Sequence, residues 1–544
     1  MTPDYWLKSA APTRREVHFG DRVVRCFAQR PSNLNDMLHA AAERQPEREA
    51  LVCGTDRYTW RALDVCVGRV AAGLAARGVG KGDRVALLLG NCSEFVITWF
   101  AAMRLGAIVV PLSIREQSAE IAYVLNHCGA RVIVLDAALA TRLPEPALVP
   151  TLQHRVFVGR SDPAESFAGL QQAGERHTAD AVSEEDTLAI VYTSGTTGRP
   201  KGAMLTHLGV IHSAMHYVSS LNLTTEDRCV AAVPLSHVTG IVAMVATMLC
   251  CGGTLIILPE FKARSFLQLA AQERMTYTLL VPAMYNLCLL QPDVEKYDLS
   301  AWRIGGYGGA LMPPAALERI AARWPSLRLA NAYGATETSS PSTILPPQHV
   351  REHGNSVGFA VACADIAVMD EQGREVPPGE SGEIWIRGPM VVPGYWQDQE
   401  ATAKEFTAGW WRSGDIGAVD RDGYLCVFDR KKDMINRGGY KVYSAEVENV
   451  LAQHPAVLES AVIGVPCPVL GERVHAFVVL RDIGSADLNA TAQALRDHCA
   501  NELSDYKVPE TIVISSDPLP RNANGKVLKR ALRTQTNGAH VATT

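Results

Sequence analysis

Hydrophobic positions in the first 300 residues fall in short continuous runs separated by amphipathic stretches. Arg84 to Leu89 (RVALLL) reads as a buried strand, Ser93 to Leu105 as a helix, and Ala107 to Pro111 as the next strand. Arg131 to Leu135 and Leu188 to Tyr192 continue the series, and Tyr277 to Pro282 and Arg303 to Gly305 add strands beside glycine-rich turns. Runs without polar alternation belong to strands covered on both faces, so this βα succession predicts parallel sheets flanked by helices. After about residue 355 the texture changes: Ile366 to Met369, a turn at Asp370-Glu371-Gln372-Gly373, and Glu383 to Arg387 predict the hairpins of a small β-rich unit. A second change comes at the charged run Asp429-Arg430-Lys431-Lys432-Asp433. Beyond it, helices over Ser444 to Gln453 and Thr491 to Glu502, with strands at Ala461–Val465, His475–Leu480 and Thr511–Ile514, predict a small α+β domain. Thr534 to Thr544 reads as a frayed polar tail.

One run tests this picture. Gly240 to Leu258 carries no charge and approaches the roughly 20 residues of a membrane span. Gly252-Gly253-Thr254 interrupts it, which predicts a buried helix, a turn and a buried strand instead. Met1 to Phe19 has no apolar core of a secretory signal, and the terminal Ala-Thr-Thr is neither a receptor-read address nor a prenylation box. The 13 cysteines are scattered and show no paired CxxC at zinc spacing, and Cys250–Cys251 are too close for an easy disulfide. Reduced thiols, a cytoplasmic location and no stable membrane insertion are the expectation. A chain of 544 residues with 47% hydrophobic positions holds more than one domain, and a net charge of −5 gives no basic surface for nucleic acid.

The strongest chemical signal is Tyr192-Thr193-Ser194-Gly195-Thr196-Thr197-Gly198-Arg199-Pro200-Lys201-Gly202. A strand runs into hydroxyls, glycines and one lysine. Glycine lets backbone N–H groups close around an anion, and the hydroxyls and lysine add donors, so the string is a phosphate cradle by composition. It lacks the GxxxxGK[ST] spacing of a Walker A loop. An isolated glycine-rich string would more often be a mobile surface loop. Asn331-Ala332-Tyr333-Gly334-Ala335-Thr336-Glu337 offers a ring face, an amide, a hydroxyl and a carboxylate in succession. Gly305-Gly306-Tyr307-Gly308-Gly309-Ala310 permits a flat group to approach the backbone, and Ser413-Gly414-Asp415 supplies an acceptor-only carboxylate.

These strings resemble, in order, the motifs of the adenylate-forming superfamily: acyl-CoA synthetases, aryl-CoA ligases, adenylation domains and luciferases. The chain looks most like a bacterial acyl-CoA ligase. The resemblance covers roughly residues 190 to 530 and extends to Arg437-Gly438-Gly439-Tyr440-Lys441-Val442 and Pro520-Arg521-Asn522-Ala523-Asn524-Gly525-Lys526. It implies an α/β fold with a large N-terminal domain, 1–429, of two parallel-sheet/helix subdomains and a small β-barrel-like part. A small mobile C-terminal α+β domain, 430–544, would turn on a hinge at 429–433 with Lys432 as pivot.

It also implies the site. Thr193, Ser194, Gly195, Thr196, Thr197, Gly198 and Lys201 would hold the phosphates of ATP. Gly309, Ala310, Asn331, Ala332, Tyr333 and Gly334 would hold the adenine, Tyr333 by its ring and Asn331 by its amide. Asp415 would contact the ribose, Arg430 the ribose or a phosphate, and Thr336 the α-phosphate. Glu337 would bind Mg2+, and Lys526 would be the adenylation lysine. Gly438, Gly439 and Tyr440 would admit the pantetheine arm of coenzyme A. Asn436 stands where many relatives have lysine, and Lys441 where some have glutamine. The acid pocket would comprise His237 as gate, with Val238, Gly240, Ile241, Tyr307, Gly308, Ala335 and Ser340.

The implied reaction is AMP-forming ligation of a small-molecule carboxylic acid to coenzyme A. Residues 233 to 258 contain no acidic group to hold a substrate ammonium, so an aryl or medium aliphatic acid is expected rather than an amino acid. A carrier-protein pantetheine is the alternative acceptor. A luciferase-like oxygenase would share the motifs but emit light, and an inactive nucleotide-binding scaffold would not exchange pyrophosphate with any acid. Homodimers are common in the superfamily.

Overall fold

Successive side chains of the RVALLL run leave its strand on opposite faces. Val85 and Leu87 enter the main hydrophobic core, whereas Ala86 and Leu88 enter a second core on the far side. This is why the run shows no polar alternation. In the computed structural model the described residues are 5–8, 11–160, 162, 164–172, 177, 179–193, 199–310, 312–482, 487–515, 517–521 and 527–539. Among them, strand Arg84–Leu88 sits inside a six-stranded sheet ordered Lys201–Thr206, Thr187–Thr193, Ile108–Pro111, Arg84–Leu88, Val132–Asp136, His154–Val158. The strands are parallel except the edge strand Lys201–Thr206.

A nine-stranded sheet packs against the same core. Its centre, from Arg328–Tyr333 through Ile304–Gly308, Tyr277–Leu280, Arg228–Ala231 and Thr254–Ile257 to Glu49–Cys53, is parallel, with antiparallel strands at both ends. The uncharged run forms a π-helical turn Thr239–Ala246, a helix Thr247–Cys251, a turn at Gly252 and the strand Thr254–Ile257, all in the core. No helix among the described residues is long and apolar enough to cross a membrane. A five-stranded antiparallel sheet over Asp365–Arg430 forms the β-rich unit.

A further five-stranded sheet draws all its strands from Ile435 to Ser515 and has its own core on each face. Here the expected frayed tail is corrected over Thr534 to Ala539, and residues 540–544 lie outside the described residues. Lys529–Ala539 is a helix, and its Leu532 is buried with Ala461, Ile463 and Phe477. Lys529 pairs with Glu448 at 2.7 Å and Arg533 with Asp433 at 3.0 Å. A helix that docks through so narrow a stripe keeps a polar composition, and composition alone reads as fraying.

The helix His207–Leu221, which follows the phosphate-type string, is held by three buried histidines. Leu34 N donates to His207 Nδ1 at 3.3 Å, Phe27 N to His212 Nε2 at 3.1 Å, and Cys363 N to His216 Nε2 at 3.2 Å. Each accepting nitrogen must be unprotonated. Burial accordingly lowers the pKa of His207 to about 4 and of His212 to about 3. An unfolded imidazole takes a proton near pH 6.5, so below that pH the unfolded chain binds protons that the folded chain refuses, and stability falls with pH. Calorimetric melting should give a steady midpoint above pH 7 and a falling one below pH 6.5, with a loss of about 1 kcal/mol per histidine by pH 5.5. A midpoint flat to pH 5.5 would contradict the arrangement.

Candidate active site

Thr193 and Lys201 face each other in antiparallel register where strands Thr187–Thr193 and Lys201–Thr206 meet. Both line a cavity of about 540 Å³. The string between them is therefore anchored at both ends on the cavity wall. Ser194, Gly195, Thr196, Thr197 and Gly198 themselves lie outside the described residues, as does Lys526.

The same cavity is lined by His237, Val238, Gly308, Gly309, Ala332, Gly334, Ala335, Thr336, Glu337, Ser340, Arg430 and Lys432. These come from the two large sheets, the β-rich unit and the segment joining it to the C-terminal sheet. Glycine is required at 308, where an added Cβ would lie 2.4 Å from the Ala332 carbonyl oxygen. His237 Nδ1 accepts the Thr239 backbone N–H at 3.3 Å, which leaves the ring proton of the neutral imidazole on Nε2.

Lys201 forms an ion pair with Glu405, and its ammonium lies 4.5 Å from the centre of the Tyr395 ring. The Tyr395 hydroxyl is 2.5 Å from Glu405 Oε2 and 2.9 Å from Glu337 Oε1. One hydroxyl hydrogen thus serves two carboxylates. Burial, with a smaller contribution from the Glu405 charge, raises the Glu337 pKa above the ordinary carboxylate range. Such crowding of negative charge favours a cation. Behind the wall at Gly414 and Arg430, the buried Asp415, which does not itself line the cavity, accepts from Tyr333 OH at 2.7 Å and from Arg430 Nε at 2.9 Å. The Asp415 charge is the main reason the Arg430 pKa lies above its usual value.

Several expected wall residues point elsewhere. In strand Ile304–Gly308 the period of two puts Gly308 on the cavity and turns Tyr307 into the core, where it is fully buried. In Arg328–Tyr333 it puts Ala332 on the wall and turns Asn331 and Tyr333 away. The Asn331 amide donates to the Ser356 carbonyl at 3.3 Å. Gly240 and Ile241 are buried and do not line the cavity, and an added Cβ at Gly240 would meet the Pro234 carbonyl oxygen at 2.4 Å. Ala310 is likewise off the wall. Gly438, Gly439 and Tyr440 do not line the cavity either, and Tyr440 stacks on Tyr506 at 4.6 Å.

Tyr217, Lys404, Glu405 and Arg412 line the cavity without having been singled out in the sequence, and Tyr395 acts just behind its wall. Arg412 adjoins Ser413-Gly414-Asp415, and Tyr395 stands in Gly394-Tyr395-Trp396, an aromatic pair after glycine that could have drawn notice.

Comparison with known proteins agrees in length and in fold. A feruloyl-CoA synthase of Amycolatopsis is 37% identical over 90% of this chain and 96% of its own. A long-chain-fatty-acid–CoA ligase of Mycobacterium tuberculosis is 34% identical over 92% and 98%. The crystal structure of the anthranilate CoA ligase AuaEII with anthranoyl-AMP superposes with a TM-score of 0.87 at 27% identity, covering 93% of this chain and 98% of that one. The AMP-binding enzyme family matches residues 38–396, and the AMP-binding enzyme C-terminal domain matches residues 446–526. A chain with this cavity and both of these matches belongs to the AMP-binding enzyme family.

Proposed function

We propose that this chain ligates a carboxylic acid to coenzyme A in two steps through an acyl-adenylate made from ATP. The observation that carries the reading is one cavity whose wall holds Lys201, Thr336, Glu337 and Arg430 together. The relatives' activities support it: a feruloyl-CoA synthase and a long-chain-fatty-acid–CoA ligase each match along nearly their whole length.

In the first step a carboxylate oxygen attacks the α-phosphorus, and the bond to pyrophosphate breaks. Positioning and charge neutralisation supply most of the acceleration. Lys201 and the hydroxyls from Thr193 onward bind the phosphates, with Lys201 exchanging Glu405 for them. Thr336 donates to the α-phosphate, and Asp415 and Arg430 hold the ribose. Lys526 neutralises the charge growing on the α-phosphate.

The carboxylate of Glu337, with that of Glu405 and the Tyr395 hydroxyl, forms a hard-oxygen set that fits a magnesium ion. When bound, the ion would supply charge neutralisation at the phosphates, and Glu337 is the residue that would hold it. In the second step the domain 430–544 turns about Lys432 relative to 1–429, and Gly438, Gly439 and Tyr440 reach the cavity. The coenzyme A sulfur then attacks the acyl carbonyl carbon, and the bond to AMP breaks. Val238, Leu279 and Ala335 give the acid an aliphatic wall, which suits an aryl or medium aliphatic chain.

The direct test is acid-dependent AMP release with ATP, magnesium and coenzyme A across aryl, short, medium and long acids, with products identified by mass spectrometry. An acyl-CoA product is expected. Pyrophosphate release that stops at acyl-AMP would instead point to a carrier protein as acceptor. Asp415→Ala should weaken ATP binding about 10-fold or more, the cost of a charge-assisted hydrogen bond pair. Calorimetric titration checks this, and an unchanged Kd would leave Asp415 only as the partner of Arg430 and Tyr333.

A further inference from the structure

The aliphatic side chains on the cavity wall, Val238, Leu279, Ala332 and Ala335, are joined by two hydroxyls that belong together, those of Tyr217 and Ser340. Tyr217 comes from the helix His207–Leu221, is only 1% exposed, and still reaches the cavity. Its hydroxyl lies 3.0 Å from Ser340 Oγ. Among the described residues neither hydroxyl has another hydrogen-bond partner. Two hydroxyl hydrogens and one mutual bond leave one donor unspent, whichever oxygen donates to the other. Burial raises the Tyr217 pKa, so this phenol stays protonated across the working pH range.

The backbone beneath Ser340 is unusual. Ser339 and Ser340 both sit in the left-handed region, at φ 48° and 32°. L-residues enter it at a cost, and such strain collects at functional sites. Here the strained pair sets a hydroxyl against Tyr217 at the cavity. Ser339 and Ser342, on either side, are also buried, with hydroxyls that find no partner among the described residues. A pocket meant for a plain hydrocarbon acid gains nothing from the Tyr217 and Ser340 hydroxyls on its wall.

We propose that Tyr217 and Ser340 form a hydrogen-bonding subsite for a hydroxyl or carbonyl oxygen on the non-reacting part of the acid. The enzyme's acids are then oxygen-substituted ones rather than plain hydrocarbon acids. The proposal rests on the acid-ligase reading above and deepens it. A plain acid seals the unspent donor away from water without a partner, whereas an oxygen function satisfies it. Sites built to hydrogen-bond a substrate oxygen discriminate strongly against analogues lacking it.

The test uses the full chain with ATP, magnesium and coenzyme A, and matched acids that differ by one oxygen function. Suitable sets are benzoate with the hydroxybenzoates, cinnamate with 4-hydroxycinnamate, and hexanoate with hydroxy- and oxohexanoates. The wild type should prefer the oxygenated member of at least one set by about 10-fold or more in kcat/KM. Tyr217→Phe and Ser340→Ala should each reduce that preference several-fold by slowing the oxygenated acid more than the plain one. A structural role would slow both acids alike. If Tyr217→Phe fails to fold, Ser340→Ala, which removes one oxygen atom, decides alone. Equal or better use of the plain acid in every set, or a preference intact in the folded variants, overturns the subsite while continued AMP release keeps the ligase reading. Absence of acid-dependent AMP release with every set overturns the ligase reading itself.

Discussion

Lys526→Ala is expected to slow acyl-adenylate formation by on the order of 100- to 1000-fold, the range for removing one preorganised charge from a transition state. Thioester formation from supplied acyl-adenylate should stay within a few-fold of wild type. The asymmetry follows from where charge appears. In the first step the α-phosphate gains the acid's oxygen while pyrophosphate carries negative charge away, so a cation at that phosphorus is stabilising. In the second step the α-phosphorus keeps its bonds, and the reacting centre is the acyl carbon. Lys526 lies outside the described residues, but its flanks are fixed: Arg521 bridges Val527, and Leu519 N donates to Glu459 at 3.0 Å. Pyrophosphate release measures the first step, and coenzyme A-dependent AMP release from synthetic acyl-adenylate the second. Equal loss of both would refute the assigned role.

The same contrast between local and assembled features decides how much could be read from the sequence. The parallel strands were legible because burial on both faces leaves an uninterrupted apolar run, as at Arg84–Leu88. The run Gly240 to Leu258 was legible because its glycines break it where the chain turns. The C-terminal helix was not legible, since it docks through Leu532 and two ion pairs. In the site, Lys201, Thr336, Glu337 and Arg430 stand in short strings whose chemistry is local, and all four line the cavity. Which neighbours in those strings face it depended on strand phase: Gly308 and Ala332 do, whereas Tyr307 and Asn331 turn away. Glu405 and Tyr217 had no local signature at all. Their partners Lys201 and Ser340 are 204 and 123 residues distant, and only the folded chain brings them together.

Lys432→Pro should act in the opposite sense to Lys526→Ala, sparing acyl-adenylate formation and slowing thioester formation by on the order of 100-fold or more. Lys432 lies in a turn closed by Asp433 N and Met434 N on the Arg430 carbonyl, at 2.8 and 2.9 Å. Proline disfavours the α region for the residue before it and is poorly accommodated at the third position of such a turn. The substitution therefore removes φ/ψ freedom where a domain rotation would need it. In the present arrangement Lys432 lines the cavity, the small unit touches the β-rich unit through Lys441–Glu371 at 3.6 Å, and Tyr440 rests on Tyr506. For Gly438, Gly439 and Tyr440 to reach a bound acyl-adenylate as proposed, the Lys441–Glu371 contact would be exchanged for others, with the turn at 432 as the short segment that would absorb the change. Measuring both half-reactions separately on the purified variant checks the assignment. Normal thioester formation would remove Lys432 from the pivot and require the Gly438 loop to reach the cavity without domain rotation.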